Sequence, residues 1–551
     1  MRILRRSVVL TLFLIATFTL TQAQRRERLI DSWRPTHYDV TLTLNNQLTE
    51  LTSAKTEITV AILKGPLSTL DFDFGAMPVD SVSVGSATAT FQRSSGQLNV
   101  ALSKPARTGE QLKITVVYHG RPNNGLVLAA DKAGNPAAIG DNWPDRTHYW
   151  IPCFDHPSAK ATVNFTVTAP ARDTVIANGQ LATTAADEDG TRTWTYNESR
   201  PIPPYCMIIA VGEFAHSQPP ETTVTKLDYY VPQTDKDYAV VGFSAAPSSL
   251  SYLSETVAPY PYEKLALIVG ATRFGAMENS SAIVFASNLF EERTPTQPQS
   301  SRFKIRRGIV ETTAHEIAHQ WFGDSVAIRT WCDLWLSEGF ATYFAGLVIE
   351  RFEGRDAFRE YMRRRAETYL GYERGRRAPI YDTETTDLFK LLNPNNYDKG
   401  AWVLHMLRGL LGDTAFFKGI GGYYLAHQNG SAGTEDLRNA LEKASGMDLK
   451  DFFARWIYAS GHPQYEVSWT WNAATKGSGF LELRLRQTQE DVPFLTPLSV
   501  ELVLPKTSRR IIVTPTGRET TTRIPLQSRP MEVRIDPDEM VLKELVVKPV
   551  S

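Results

Sequence analysis

ETTAHEIAHQWFGDSV, residues 311–326, and LWLSEGFATY, residues 334–343, are the stretches from which the rest of the chain is read. Residues four apart share one face of a helix, so His315 and His319 can hold one ion while Glu316 is directed to its open side. Zinc accepts carboxylate oxygen as readily as imidazole, and a third ligand belongs on the next helix. Glu338 supplies it, with residues 320–337 lying between it and His319. Two neutral imidazoles and one carboxylate leave a net positive site with a fourth position open, which is how catalytic zinc is held. Glu316 is then the general base, placed to take a proton from a water activated at that position.

Around these two helices the pattern is mixed α/β. LALIVGAT (residues 265–272) is a continuous apolar strand, and the Phe274 to Asn279 segment leads into a second apolar run, AIVFASNLF. A glycine there, Gly275, permits close approach of a bound backbone. Apolar residues at helical spacing predict helices over 239–257, 301–323, 333–353, 397–411, 413–428, 434–446 and 449–461. Upstream, short alternating runs such as HYDVTLTLN, KTEITVAIL and ATVNFTVTA predict an all-β domain. Downstream of Gly461-His462-Pro463 the strands return. The expected fold is therefore multi-domain, with an N-terminal all-β domain (24–220), a thermolysin-like α/β catalytic domain (221–460) and a small C-terminal β-sandwich (461–551).

The chain of 551 residues is too long for one core, and 42% hydrophobic with 22% charged residues excludes a disordered tract. Residues 1–23 read as a signal peptide: Arg2, Arg5 and Arg6 precede an apolar run from Ser7 to Leu20, and Thr21-Gln22-Ala23 ends it. The expectation is a secreted or periplasmic protein with no stable membrane insertion after cleavage. Removing three of 59 basic residues against 60 acidic ones leaves a charge of about −4, which gives nucleic acid no basic surface. Local basicity from Arg363 to Arg377 reads first as a solvated helix face and second as a site for substrate carboxylates. Cys153, Cys206 and Cys332 are too few and scattered for a disulfide framework and read as small buried hydrophobes.

Four separated segments give the chain a resemblance to the gluzincin aminopeptidases: HEIAHQWFGD with Glu338 in LWLSEGFATY, GAMEN at residues 275–279, YDKGAWVLHML from Tyr397, and WIPCFDHPSAKATV from Trp150. Their order and spacing extend the resemblance over nearly all of the chain after residue 23. It implies one zinc ion and peptide substrates with a free N-terminus. Glu278 would hold the substrate's α-amine, restricting cleavage to the first peptide bond. Gly275 and Ala276 would bind the peptide through their backbone as an added strand, within a substrate-binding segment that includes Met277 and Asn279. Tyr397 would donate its hydroxyl to the oxyanion; without the resemblance it reads as a core aromatic.

The chain also departs from that pattern. Ser280-Ser281 follows GAMEN where the family usually has Trp-Gly, and Ser337 stands where Asn is common. Asp141 or Asn142 is the candidate for a Gln that the family places beside the amine-binding Glu. The large C-terminal helical domain of many relatives is not expected, which implies a more open cleft. Two alternatives share these residues: a thermolysin-type zinc endopeptidase, and a non-catalytic peptide-binding surface protein, against which the presence of Glu316 and Tyr397 counts. One branch of the family also carries an epoxide hydrolase activity.

Overall fold

The computed structural model describes residues 25–290, 299–474 and 477–548. The signal peptide read over residues 1–23 lies outside the described residues.

Alternating side chains make the N-terminal strands two-faced, and the apolar face of each is buried. In Trp33–Leu44 the residues Tyr38, Val40, Leu42 and Leu44 point into the core while their neighbours stay partly exposed. That strand pairs in antiparallel fashion with Leu51–Ile62, Val40 opposite Thr56, and in parallel with Ala161–Pro170, Val40 beside Phe165. It is central to an eight-stranded sheet ordered Gln180–Ala186, Thr191–Ile202, Ala161–Pro170, Trp33–Leu44, Leu51–Ile62, Gln111–Gly120, Val79–Val84, Ala87–Thr88. Two smaller sheets, one of three strands and one of four, pack on its apolar side.

The next five-stranded sheet runs Phe214–Ser217, Lys226–Pro232, Lys264–Gly270, Ala282–Ala286, Ala276–Met277. Lys264–Gly270 is parallel to both neighbours and almost wholly buried, which is why it reads as an unbroken apolar run. Ala276–Met277 is the antiparallel edge, with Ala276 opposite Phe285.

Nine helices occur among the described residues: α1 (Ala239–Gly242), α2 (Ala246–Thr256), α3 (Gln299–His319), α4 (Trp335–Glu353), α5 (Arg355–Glu373), α6 (Gly400–Leu411), α7 (Asp413–His427), α8 (Thr434–Ser445) and α9 (Lys450–Trp456). The helix expected over 239–257 breaks after Gly242, and that expected to begin at Tyr397 opens instead as a single π-helical turn, Asn395–Lys399. From Trp335 to Ile349 every residue of α4 is buried, so it is the central helix, with α3 and α6 packed against it.

Residues 464–547 form a four-stranded sheet and a three-stranded sheet whose apolar faces are continuous with the helical core; Trp456 of α9 packs on Phe494 at 4.5 Å. No helix among the described residues is long and apolar enough to cross a membrane. All three cysteines are free, and Cys153 and Cys206 are buried as the sequence suggests.

Candidate active site

α3 and α4 cross so that His315 Nε2 and His319 Nε2 lie 3.0 Å apart, each 3.3 Å from Glu338 Oε2. Tetrahedral donors at zinc distances of about 2.0–2.1 Å stand roughly 3.3–3.4 Å from one another, so the three atoms fit that ion. Glu338 Oε2 is buried and has no hydrogen-bond partner of its own. Among the described residues this is the one His, Cys, Asp and Glu group with donor atoms close enough to share a metal.

His319 is oriented from behind. Its Nδ1 lies 3.1 Å from the Phe322 carbonyl and 3.0 Å from Ser337 Oγ, so the ring donates there and leaves Nε2 able to bind a metal. Ser337, where the resemblance expects Asn, thus takes up an imidazole-orienting contact. The turn that carries it requires Gly323, at φ +124, because a Cβ there would lie 2.4 Å from Ser337 Oγ.

Electrostatics in this region favour a bound cation. Burial opposes the charge on Glu338, but the two histidines outweigh it and hold the carboxyl near 2. Burial likewise opposes charging His319, yet Glu338 above all holds its proton up to about 10, whereas burial takes His315 down to about 4. Burial pushes Glu316 and Asp324 well above the ordinary carboxylate range. It also carries Glu278 up to about 7, with His319 pulling the other way. A group of buried carboxylates facing one protonated imidazole is relieved by a divalent ion.

Glu278 directly follows the edge strand Ala276–Met277 and is 6% exposed. Its carbonyl accepts from Gln320 Nε2 (3.1 Å), one residue beyond His319, and the Tyr205 hydroxyl beside its carboxyl favours the charged form. Gly275 is exposed, its Cβ position is open space, and its carbonyl is fixed by Ala286 N–H at 2.9 Å. The outer edge of this strand borders a cleft of about 410 Å³ that also contains His315, Glu316, Glu338 and Tyr397. Met277 and Asn279 are buried.

Tyr397 is held in the cleft by two glycines. A Cβ on Gly339, the residue after Glu338, would stand 3.0 Å from the Gly400 Cα, so α4 presses directly against the turn bearing Tyr397. The Tyr397 ring stacks on His315 at 5.9 Å and 6°. Burial and the charge of Glu338 keep its phenol well above the usual value, so at neutral pH it is a hydroxyl donor.

His315, Glu316, His319, Glu338, Tyr397 and Gly275 to Glu278 all line this cleft, whereas Asn279 lies behind it. Asp141 and Asn142 do not reach it: Asp141 pairs with Arg146 at 3.1 Å and Asn142 bonds the Met207 carbonyl and the Trp150 indole. The next residue, Trp143, lines the cleft instead, against Phe274 at 5.8 Å. Tyr205 and Gln320, the neighbours of Glu278, carry no signal in the sequence, although Gln320 directly follows His319. Ser281 adopts φ +60, a conformation that favours the glycine expected there. Its Oγ donates to Glu198 (2.9 Å) and accepts from Gly179 N–H (2.8 Å), and these bonds hold the turn.

Two family models match the chain: the Peptidase M1 N-terminal domain over residues 34–206 and the Peptidase family M1 domain over residues 243–456. Similar curated proteins include a probable M1 family aminopeptidase 2 from Encephalitozoon cuniculi, 29% identical over 64% of this chain and 42% of its own length. Aminopeptidase M1-C from Oryza sativa subsp. japonica is 29% identical over 58% of this chain and 36% of its own. Human glutamyl aminopeptidase is 30% identical over 61% and 35% respectively. The chain thus spans less than half the length of these relatives.

Proposed function

We propose that this chain, which belongs to peptidase family M1, is a zinc-dependent aminopeptidase that releases the first residue of peptides with a free N-terminus. The observation that carries the reading is Glu278, a buried carboxylate directly after an edge strand, beside the His315, His319 and Glu338 cluster. The relatives reported above, all named aminopeptidases, support it.

His315, His319 and Glu338 hold the metal. When bound, zinc supplies Lewis acidity, activating water and polarising the scissile carbonyl. The chain's own residues do the rest. Glu278 pairs with the substrate ammonium and so fixes which bond reaches the cluster. Gly275 and Ala276 bind the substrate backbone as an added strand, with Met277 and Asn279 shaping the turn from behind. Glu316, kept uncharged by burial until a cation is near, takes the proton of the attacking water and passes it to the leaving amine. The Tyr397 hydroxyl donates to the developing oxyanion, a role worth about 3 kcal/mol of barrier lowering.

The same proposal takes residues 24–220, 221–460 and 461–551 as an N-terminal β-domain, a thermolysin-like catalytic domain and a β-sandwich. It also takes residues 1–23 as an export signal to the periplasm or exterior. A panel of aminoacyl p-nitroanilides, assayed with and without a chelator, tests the activity. Chelator-sensitive release is expected. No release from any member of the panel refutes the reading, and cleavage that persists on N-acetylated peptides favours the endopeptidase alternative.

A further inference from the structure

We infer that Arg365 forms a carboxylate-binding subsite on the leaving-group side of the cleft, selecting peptides that present a carboxylate just beyond the scissile bond. This rests on the aminopeptidase reading, which fixes the direction in which a substrate lies.

The direction follows from α3. Glu311, His315 and His319 are four apart and face the cleft together. Gln320, at one end, holds Glu278; Glu311, at the other, pairs with Arg365 at 3.2 Å. Glu311 and Gln320 are nine residue steps apart along this helix and its end, or about 13 Å. With the substrate amine on Glu278 and the scissile bond at the metal cluster, the remaining peptide runs past His315 toward Glu311. The cleft is open there, bordered by Gly308, Thr312 and Tyr361. An extended residue covers about 3.3 Å, so between two long side chains reaching inward the interval suits a di- or tripeptide.

Among the described residues Arg365 is the one lysine or arginine lining the cleft. Its guanidinium lies over the Tyr361 ring at 4.7 Å, with Nη1 3.5 Å from Asp398 and Nη2 3.2 Å from Glu311. Tyr361 is itself fixed by its hydroxyl, which donates to the Thr342 carbonyl at 2.7 Å. Arg365 Nε is buried with no acceptor. Charge points the same way. Glu311 is shared by three guanidiniums, those of Arg307 (3.3 Å), Arg364 (2.5 Å) and Arg365, and among the described residues Asp398 is the one buried carboxylate that joins the group. One positive charge is left over. Glu360, 3.7 Å from Arg307, is 60% exposed and screened by solvent, so it does little to neutralise that excess. A planar fork with a spare donor and net positive surroundings matches a carboxylate.

The carboxylate can be the C-terminus of a short peptide or the side chain of an acidic second residue. Four substrates sharing the best-cleaved first residue X separate the two: X-Ala against X-Ala-amide, and X-Asp-amide against X-Asn-amide. They are assayed on the zinc-loaded full chain and on Arg365→Gln. Wild type is expected to favour the carboxylate member of at least one pair in kcat/KM by roughly tenfold or more, the scale of one charge-assisted hydrogen bond. Arg365→Gln should bring that ratio to within about twofold of one. Arg365→Lys, which keeps charge but loses the fork, should keep a reduced preference, and it serves if the glutamine variant does not fold. The first pair responding identifies a C-terminal carboxylate, the second an acidic residue. Hydrolysis with ratios near one in wild type, or a preference unchanged in both variants, overturns the inference alone. No hydrolysis of any of the four overturns the aminopeptidase reading and the inference with it.

Discussion

Replacing Glu278 by Gln removes a charge and almost nothing else. The amide is the same size, and the backbone is held by Gln320 whatever the side chain. What is lost is the ion pair with the substrate ammonium in a site where Glu278 is 6% exposed. Truncating one partner of a buried charge pair costs about 2–5 kcal/mol, and a hydrogen bond to a charged group contributes about 1.5–3. The overlap, about 2–3 kcal/mol, corresponds to a fall in kcat/KM of roughly 30- to 150-fold. The assay compares a free-amine peptide with its N-acetylated counterpart on both proteins, with bound zinc measured alongside. Wild type should cleave only the free-amine peptide; the variant should lose rate on it at unchanged zinc content and discriminate far less between the two. A kcat/KM within threefold of wild type would refute Glu278 as the amine anchor.

Glu316→Gln should lower kcat by roughly 100- to 10,000-fold while zinc stoichiometry is retained; a rate near wild type excludes it as the base. Tyr397→Phe keeps the 5.9 Å stack on His315 and removes only the hydroxyl, so kcat should fall about 100-fold or more with KM little changed; a rise in KM at constant kcat would make it a ground-state contact instead. Ser281→Ala keeps the left-handed backbone and deletes the bonds to Glu198 and Gly179, destabilising by about 2–3 kcal/mol. Ser281→Gly deletes the same bonds but relieves roughly 1 kcal/mol of backbone strain, so its unfolding midpoint should lie above that of the alanine variant; the reverse order contradicts the strain assigned here.

What was legible in the sequence is what depends on short spacing. His315, Glu316 and His319 are set by one helical turn, and the buried strand Lys264–Gly270 shows as an unbroken apolar run. Contacts between distant segments were not legible. Tyr205 approaches Glu278 from the N-terminal β-rich domain across 72 intervening positions, and no local pattern marks it. The basic run after Arg363 shows why composition alone stops short. Arg363 is 56% exposed, as a solvated face requires, but two residues on, α5 turns Arg365 into the cleft. The π-helical turn at Asn395–Lys399 is equally hidden, because it depends on Gly339 and Gly400 meeting from two helices. Asp141 and Asn142 read as polar neighbours of Glu278, but Asp141 meets Arg146 and, in the loop before Phe274, Thr272 and Arg273, while Asn142 meets Trp150.

The central claim is that this cleft removes one residue at a time from a free N-terminus by metal-dependent hydrolysis. Mass spectrometry of an unblocked decapeptide incubated with the purified protein tests it most directly. The expected result is a ladder of products shortened from the N-terminus only, abolished by a chelator and restored by zinc. Internal fragments, or a ladder indifferent to the chelator, would contradict it.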